Sequence, residues 1–373
     1  MGRGWTLLAC TGLWLGCGSR SGLDGEWLSS DTAAVYPWQA AAAYGGARAP
    51  RTCVEDWRVL YESEAFVPPA LAVSAGELIF IVNEFSAIGG VLSEVAALDL
   101  ESPSGGERVI TQGSSFDDLW LDGDALALWT GQRLLQVSMQ GGRQTLMLEP
   151  GASDASVLVE RLLLEDDAFY WAQTRTGSTS REVWRQPRGD GEPQRIGAVD
   201  AATVDASLLA ATPDTVVLAG GSQAVALSLR DGASRALDRV SEGVLVGVDG
   251  LGAYYSRVVN RTRRGGEALR YEIRRAPVDG SGSTRFWQGS PGEHLTNVWP
   301  TESGWLAAGL YYRFDGRQHA VLMHIDASGH ETLIGCDRSN NVVLGGVVFW
   351  RQAFYAVTLA NNRSRVVEIR LPD

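Results

Sequence analysis

Apolar and polar residues alternate in short segments from about residue 70 onward, and polar turns separate the segments. Such period-2 alternation favours β-strands, and we find no long amphipathic helical pattern. Seven alternating segments recur: Glu94–Leu100, Leu134–Met139, Glu182–Pro187, Ala224–Leu229, Tyr271–Val278, Ala320–Ile325 and Arg365–Leu371. An apolar segment lies upstream of each: Leu78–Val82, Ala125–Trp129, Ala168–Trp171, Thr215–Leu218, Gly252–Ser256, Trp305–Leu310 and Phe354–Leu359. The pattern therefore predicts an all-β chain.

Turns rich in glycine and aspartate follow six of these segments and recur at steps of 36 to 49 residues. Their reference glycines, which we expect to supply positive φ, are Gly106, Gly142, Gly191, Gly232, Gly280 and Gly329. A repeat of this length with four short strands per copy is typical of a β-propeller. We predict seven four-stranded blades, with six or eight blades or an array of β-sandwiches as alternatives.

The last copy of the repeat ends after its third strand. We expect the alternating segment Trp57–Tyr61 to supply the missing strand and so to close the ring. Cys53 lies just before this segment and Cys336 lies near the start of the last copy. A Cys53–Cys336 disulfide is therefore predicted to lock the ring where it closes. Two separate buried thiols are the alternative.

The segment Leu163–Trp171 has two aspartates and an aromatic strand in the order Leu-Leu-Glu-Asp-Asp-Ala-Phe-Tyr-Trp. It resembles blades of the YWTD and TolB-like propellers, in which a turn precedes an aromatic strand. In architecture the resemblance extends over about residues 70–371, and in sequence it is close in this one blade. The resemblance implies a propeller fold and assigns no functional residue.

The N-terminal segment resembles an export signal. Arg3 is followed by an apolar run from Trp5 to Gly16, which is too short to span a bilayer. Leu13–Cys17 resembles a bacterial lipobox, which implies cleavage before Cys17 and attachment of acyl chains such as palmitate. Leu7–Cys10 fits the lipobox letters better but leaves too short an apolar run before it. The alternatives are an ordinary export signal or a buried apolar N-terminal strand. We predict a signal peptide at 1–16, lipidated Cys17 with a flexible tether over 17–50, and a propeller domain over 51–373.

Composition excludes several classes of function. All 32 basic residues are arginine, so the chain lacks the lysine that a phosphate-binding loop or a Schiff-base enzyme needs. The net charge is −12, which does not suit a protein that binds the nucleic-acid backbone through a basic surface. Catalytic motifs are absent, and His330-Glu331 lacks the second histidine of a zinc-protease helix. The acidic run Asp117–Asp124 lacks the order of a calcium loop and is predicted to form a turn. We therefore predict neither a cofactor nor a metal site.

Blade 5 is unusually basic. Arg257, Arg261, Arg263 and Arg264 are candidates to bind an anionic group or a partner. Alternatively, these arginines pair with Glu242, Glu267 and Glu272.

Two functional hypotheses follow from these features. The first is an exported lipoprotein, anchored in the cell envelope at the outer membrane or a periplasmic face, whose propeller binds an envelope protein or glycan. The second is a propeller-type hydrolase or lactonase, which requires acids such as Asp118, Asp166 and Asp249 to converge at one mouth of the channel.

Overall fold

Seven antiparallel sheets of four strands follow one another along the chain. The structure is a computed structural model. It describes residues 57–370 apart from gaps at 86–89, 151–155, 190, 202–207, 221–222, 238–243, 250, 260–270, 290–292, 302–303, 313–317, 338–342 and 361–362. The predicted seven-bladed β-propeller is confirmed. Within the described residues, no helix is long and apolar enough to cross a membrane.

The strands are numbered along the chain, and the first, β1 (Trp57–Ser63), belongs to the last blade. Blade 1 consists of β2 (Leu71–Ser74), β3 (Glu77–Phe85), β4 (Val91–Asp99) and β5 (Glu107–Gly113). Blade 2 consists of β6 (Asp118–Asp122), β7 (Ala125–Trp129), β8 (Leu134–Ser138) and β9 (Thr145–Leu148). Blade 3 consists of β10 (Val157–Leu164), β11 (Ala168–Arg175), β12 (Ser180–Pro187) and β13 (Gln194–Asp200). A short 3-10 helix, Pro103–Gly105, connects β4 to β5.

The remaining blades repeat the same order. Blade 4 consists of β14 (Leu208–Ala211), β15 (Thr215–Gly220), β16 (Gln223–Ser228) and β17 (Ser234–Ala236). Blade 5 consists of β18 (Val244–Asp249), β19 (Gly252–Val258), β20 (Tyr271–Pro277) and β21 (Thr284–Gln288). Blade 6 consists of β22 (Glu293–Thr301), β23 (Gly304–Tyr312), β24 (Gln318–Asp326) and β25 (Glu331–Asp337). Blade 7 consists of β26 (Val343–Trp350), β27 (Ala353–Ala360), β28 (Arg363–Arg370) and β1.

The first strand of each sheet is the inner strand, and inner strands of neighbouring blades contact one another around the channel. We call the end at which the inner strands begin the upper end, and the end at which they finish the lower end. Because all pairs are antiparallel, the second strand ends and the third begins at the upper end. The loops that join consecutive blades also lie there.

Apolar side chains from both faces of each sheet form seven clusters, one between each pair of neighbouring blades. In β6, Leu119 packs in the cluster shared with blade 1, whereas Trp120 packs in the cluster shared with blade 3. Successive side chains of a strand point to opposite faces of the sheet, so the period-2 alternation of the sequence packs each sheet against both neighbouring blades. Each fully buried large side chain contributes roughly 1.5–3 kcal/mol.

The ring closes as predicted, because β1 pairs antiparallel with β28. Trp57 is paired with Ile369 and Ser63 with Ser364, so β1 begins at the lower end. Glu62 accepts from Arg363 at 2.6 Å and from Arg365 at 2.5 Å across the same pair of strands. Cys53 and the side chain of Cys336 lie outside the described residues, and the disulfide remains a prediction.

Most of the predicted turn glycines have a left-handed backbone. Positive φ is found at Gly106, Gly142, Gly232, Gly280 and Gly329, whereas in the turn after Pro187 it is Gly189 rather than Gly191 that has positive φ. Gly232 also lies directly against the Ile196 carbonyl oxygen of the preceding blade, where a Cβ would collide. This turn therefore requires glycine both for its conformation and for the close approach of two blades.

Candidate functional site

The upper end carries most of the features that could recognise a ligand. Nine large hydrophobic residues in the described part of the chain are exposed. Five of them, Phe85, Leu92, Leu158, Val259 and Leu359, lie at the upper end. Leu251 lies at the lower end, and Val59, Val109 and Leu146 lie on outermost strands.

Arg257, the one predicted binding arginine within the described residues, is held by a buried carboxylate. Its Nε donates to Glu272 Oε1 at 2.5 Å, and Arg274 Nη1 lies 3.4 Å from the same oxygen. Glu272 is only 3% exposed, so the two arginines neutralise a charge that would be costly to bury alone. The alternative pairing with Glu272 is thus realised for Arg257.

The other three predicted arginines, Arg261, Arg263 and Arg264, lie outside the described residues, as do Glu242 and Glu267. The flanking residues Val258 and Tyr271 end β19 and begin β20 at the upper end. The binding role of this segment remains a prediction.

The acidic run predicted as a turn belongs mainly to inner strand β6. Only its last part forms a turn, at Gly123 with a φ of 61°. Asp118 and Asp122 flank Trp120 on the face toward blade 3, and each meets an arginine of that blade. Asp118 Oδ2 lies 3.2 Å from Arg161 Nη2, and Asp122 Oδ1 lies 2.6 Å from Arg188 Nη1. Two ion pairs therefore link blades 2 and 3, one at each end of the channel.

Asp118 is the most perturbed carboxyl group at the upper end. Burial raises its pKa from the ordinary value of 3.8 to about 6, although Arg161 and the Leu119 amide, which donates at 3.0 Å, both favour the ionised form. This carboxyl group can therefore exchange a proton within one pH unit of neutrality.

Blade 3 continues the polar cluster outward from the channel. Arg181 is buried and donates from Nη2 to Glu160 Oε1 at 2.9 Å, and its Nε makes a second bond to the same carboxylate. Thr174 Oγ1 donates to Glu160 Oε1 at 2.5 Å. Since each buried charge has a partner, this cluster stabilises the blade and leaves little capacity for a ligand.

The lower end holds a separate network between blades 5 and 6. Tyr254 donates to Asp249 Oδ2 at 2.5 Å and accepts from Trp305 Nε1 at 2.9 Å. Arg275 Nη2 lies 3.5 Å from Asp249 Oδ2. Burial raises the pKa of the Tyr254 hydroxyl, so this group remains a neutral donor.

The acids required by the hydrolase hypothesis do not converge. Asp118 begins an inner strand at the upper end, whereas Asp249 ends one at the lower end. Asp166 lies between β10 and β11, also at the lower end. Among the described residues, no group of three His, Cys, Asp or Glu side chains could hold a metal ion.

Sequence reasoning missed the exposed apolar hairpin of blade 1, which carries Phe85 and Leu92. A signal was present, because the segment between them reads Ser-Ala-Ile-Gly-Gly-Val and includes apolar residues where polar turn residues are usual.

No family model matches the sequence, and neither does any curated protein. Solved structures do match the fold. An oligogalacturonate lyase in complex with manganese has a TM-score of 0.55 at 10% identity, covering 84% of this chain and 98% of that chain. The AfRom2 CNH domain has a TM-score of 0.51 at 11% identity, covering 85% of this chain and 100% of that chain. The Neurospora crassa Pan2 WD40 domain has a TM-score of 0.50 at 8% identity, covering 87% of this chain and 99% of that chain. At these identities the likeness establishes the fold alone: the chain is a seven-bladed β-propeller similar to propellers of very different kinds.

Proposed function

We propose that the chain is an exported lipoprotein, anchored through Cys17, whose propeller binds an envelope protein or glycan at its upper end. The observation that supports this most is where the described part of the chain begins and ends. Both Trp57 and Arg370 lie at the lower end of blade 7, so the N-terminal segment joins the scaffold there. The segment that carries the proposed anchor therefore enters the propeller at the end opposite the exposed apolar side chains.

Binding is favoured over catalysis by the character of the upper end. Exposed apolar side chains occur there in four different blades, alongside charged groups. Apolar side chains surrounded by charged ones are typical of surfaces that recognise other macromolecules. The predicted arginine segment of blade 5, which includes Arg261, Arg263 and Arg264, connects strands at this same end.

The proposal is tested by mild crosslinking in the native envelope, affinity capture of the tagged protein and mass spectrometry. We expect one stoichiometric partner, and its loss when Arg261, Arg263 and Arg264 are changed together to alanine. The matched control changes three exposed lower-end arginines, Arg143, Arg230 and Arg285, to alanine and should retain the partner. Absence of any enriched protein or glycan, or equal loss in both triple variants, would contradict binding at the upper end.

Anchoring is tested separately with a clickable fatty acid. Cys17→Ala should abolish labelling, whereas Cys10→Ala should leave it unchanged. Labelling that persists in Cys17→Ala would show that this cysteine is not the lipid attachment site.

A further inference from the structure

A long hairpin of blade 1 extends beyond its inner strand at the upper end. Strands β3 and β4 pair over nine positions, up to Phe85 with Val91. Strand β2 pairs with β3 only as far as Leu71 with Phe80. One backbone bridge, between Phe66 and Asn83, supports the base of the extension. The tip therefore stands clear of the rest of its sheet.

Apolar side chains are exposed on both faces of this tip. Phe85 is 69% exposed and Leu92 is 48% exposed. Leu92 is paired with Glu84, the neighbour of Phe85, so Phe85 and Leu92 point to opposite faces. The Phe85 ring contacts Phe66, with the ring centroids 6.3 Å apart, and both Phe85 and Leu92 keep about half or more of their surface exposed among the described residues.

Blade 7 adds a third apolar side chain beside the hairpin. Leu359, 39% exposed, follows Tyr355 and Val357 at two-residue spacing, and both of these pack in the cluster shared with blade 1. Alternation along β27 places Leu359 on the same face, toward blade 1. We call Phe85, Leu92 and Leu359, together with Glu84 and Glu94, the hairpin patch. Phe85 lies on one face of the tip, whereas Leu92, Glu84 and Glu94 lie on the face toward blade 7, so a bound segment has to pass around the edge of the tip to contact both faces.

The corresponding hairpins of blades 2 and 3 have polar tips. Residues 130–133 read Thr-Gly-Gln-Arg, and residues 176–179 read Thr-Gly-Ser-Thr. Trp129 and Leu134, which flank the first of these tips, are buried. Apolar exposure is therefore not a requirement of the repeat, and in blade 1 it calls for another cause.

The charge of the patch identifies its partner chemistry. Glu84 and Glu94 lie on the Leu92 face, and neither forms an ion pair with an arginine in the described part of the chain. Glu94 instead accepts from the Gln112 amide at 2.5 Å. Besides burial, these two carboxylates help to raise the pKa of nearby Tyr61, which indicates a locally negative potential. A basic group can therefore gain an ion pair here without displacing one.

We propose that the hairpin patch docks a basic, partly apolar segment of a partner protein. This inference rests on the proposed function and selects a protein over a glycan, since a protein segment supplies both apolar side chains for the three apolar residues and basic side chains for the two carboxylates. The carboxylates also repel anionic lipid headgroups. Apolar contacts of Phe85, Leu92 and Leu359 supply affinity, and the carboxylates favour arginine or lysine on the partner.

The test is site-specific photo-crosslinking of the full chain in the native envelope. A photoreactive phenylalanine analogue replaces Phe85, and a matched variant carries it at Leu251, which is 57% exposed at the lower end. We expect one protein adduct from position 85 and none from position 251. The adduct peptide should be net basic. No adduct at 85, equal adducts at both positions, or attachment to lipid or glycan would overturn the inference.

A second measurement tests the charge contribution. Glu84→Gln with Glu94→Gln should lower the adduct yield at position 85 roughly fivefold at low salt, and 0.5 M NaCl should lower the unmodified chain's yield similarly. The control Glu192→Gln with Asp214→Asn, at exposed lower-end positions, should leave the yield within about twofold. An unchanged yield in the Glu84/Glu94 variant would contradict a basic partner.

The capture experiment separates this inference from the proposed function. A captured partner that fails to crosslink at position 85 would refute the hairpin patch and leave the proposed function standing. Absence of any captured partner would refute the proposed function itself.

Discussion

Asp118→Asn should change how the stability of the propeller depends on pH. The carboxyl group is buried at the start of β6, and burial raises its pKa to about 6 in the folded chain from an ordinary value of 3.8. A raised pKa means that the folded state binds the proton more tightly than the unfolded state. The stabilisation from protonated Asp118 is therefore complete below pH 3.8 and is lost as pH rises through about 6.

The difference between 3.8 and about 6 corresponds to about 3 kcal/mol. Asparagine keeps an acceptor for the Leu119 amide and for Arg161 but does not titrate. The stability of Asp118→Asn relative to the unmodified chain should therefore rise by about 2.5 kcal/mol between pH 4 and 7, and the rest of the change falls below pH 4. Any constant cost of the weaker contact with Arg161 shifts the whole curve without changing its slope.

The assay is urea denaturation of both proteins at several pH values across this range, with m-values compared to confirm the same transition. The control is Asp231→Asn on an exposed turn, where hydrogen bonds from Ser228 and Ala233 lower the carboxyl pKa. Its relative stability should stay nearly constant between pH 4 and 7, because a carboxyl pKa lowered from 3.8 lies below this range. Parallel curves for Asp118→Asn and the unmodified chain would show that Asp118 titrates at its ordinary value, and the burial argument would fail.

Three further predictions concern packing and closure. Gly232→Ala should lower the free energy of unfolding by about 3 kcal/mol, whereas Gly123→Ala should lower it by about 1 kcal/mol. Both glycines have positive φ, but only Gly232 lies against a carbonyl oxygen. Equal losses in thermal or urea unfolding would contradict the steric argument. Tyr254→Phe should cost about 1–3 kcal/mol and more than Tyr170→Phe. The Tyr254 hydroxyl makes two hydrogen bonds, one of them fully buried, whereas the Tyr170 hydroxyl accepts one from Arg185. The reverse order in urea denaturation would refute this assignment. A Cys53–Cys336 disulfide would close a loop of nearly the whole propeller. Reduction or Cys53→Ser should therefore lower the free energy of unfolding by about 5 kcal/mol in the loop-entropy model. Thiol titration that finds both cysteines free in the oxidised protein would contradict this prediction.

The fold could be predicted because each blade repeats the same local signals. Period-2 alternation marked the strands, and turn glycines such as Gly232 and Gly329 marked the repeat length. The missing fourth strand of the last copy indicated that Trp57–Tyr61 closes the ring. All of these signals are local in sequence, or follow from the need to bury both faces of every sheet.

The partners of charged residues could not be predicted in the same way. Asp118 meets Arg161, which is 43 residues away and belongs to another blade. That contact depends on how two sheets pack and on which side chains share a face. The acidic run was interpreted as a turn, although its order Asp-Leu-Trp-Leu-Asp already has the alternation of a strand. That alternation places the two flanking aspartates on one face of β6, but it does not identify Arg161 and Arg188 as their partners.

The blades differ most in their hairpin tips at the upper end, where the proposed partner would bind. Packing requires similar apolar residues in every copy, and the seven clusters between blades supply them. Packing places no such demand on the hairpin tips of the upper end. Yet the tip of blade 1 is apolar beside carboxylates, the blade 5 segment between Val258 and Tyr271 is rich in arginine, and the tips of blades 2 and 3 are polar. Since the scaffold does not need these differences, they support the proposed binding role. If that role is right, variants at these tips should change binding while leaving unfolding free energies nearly unchanged.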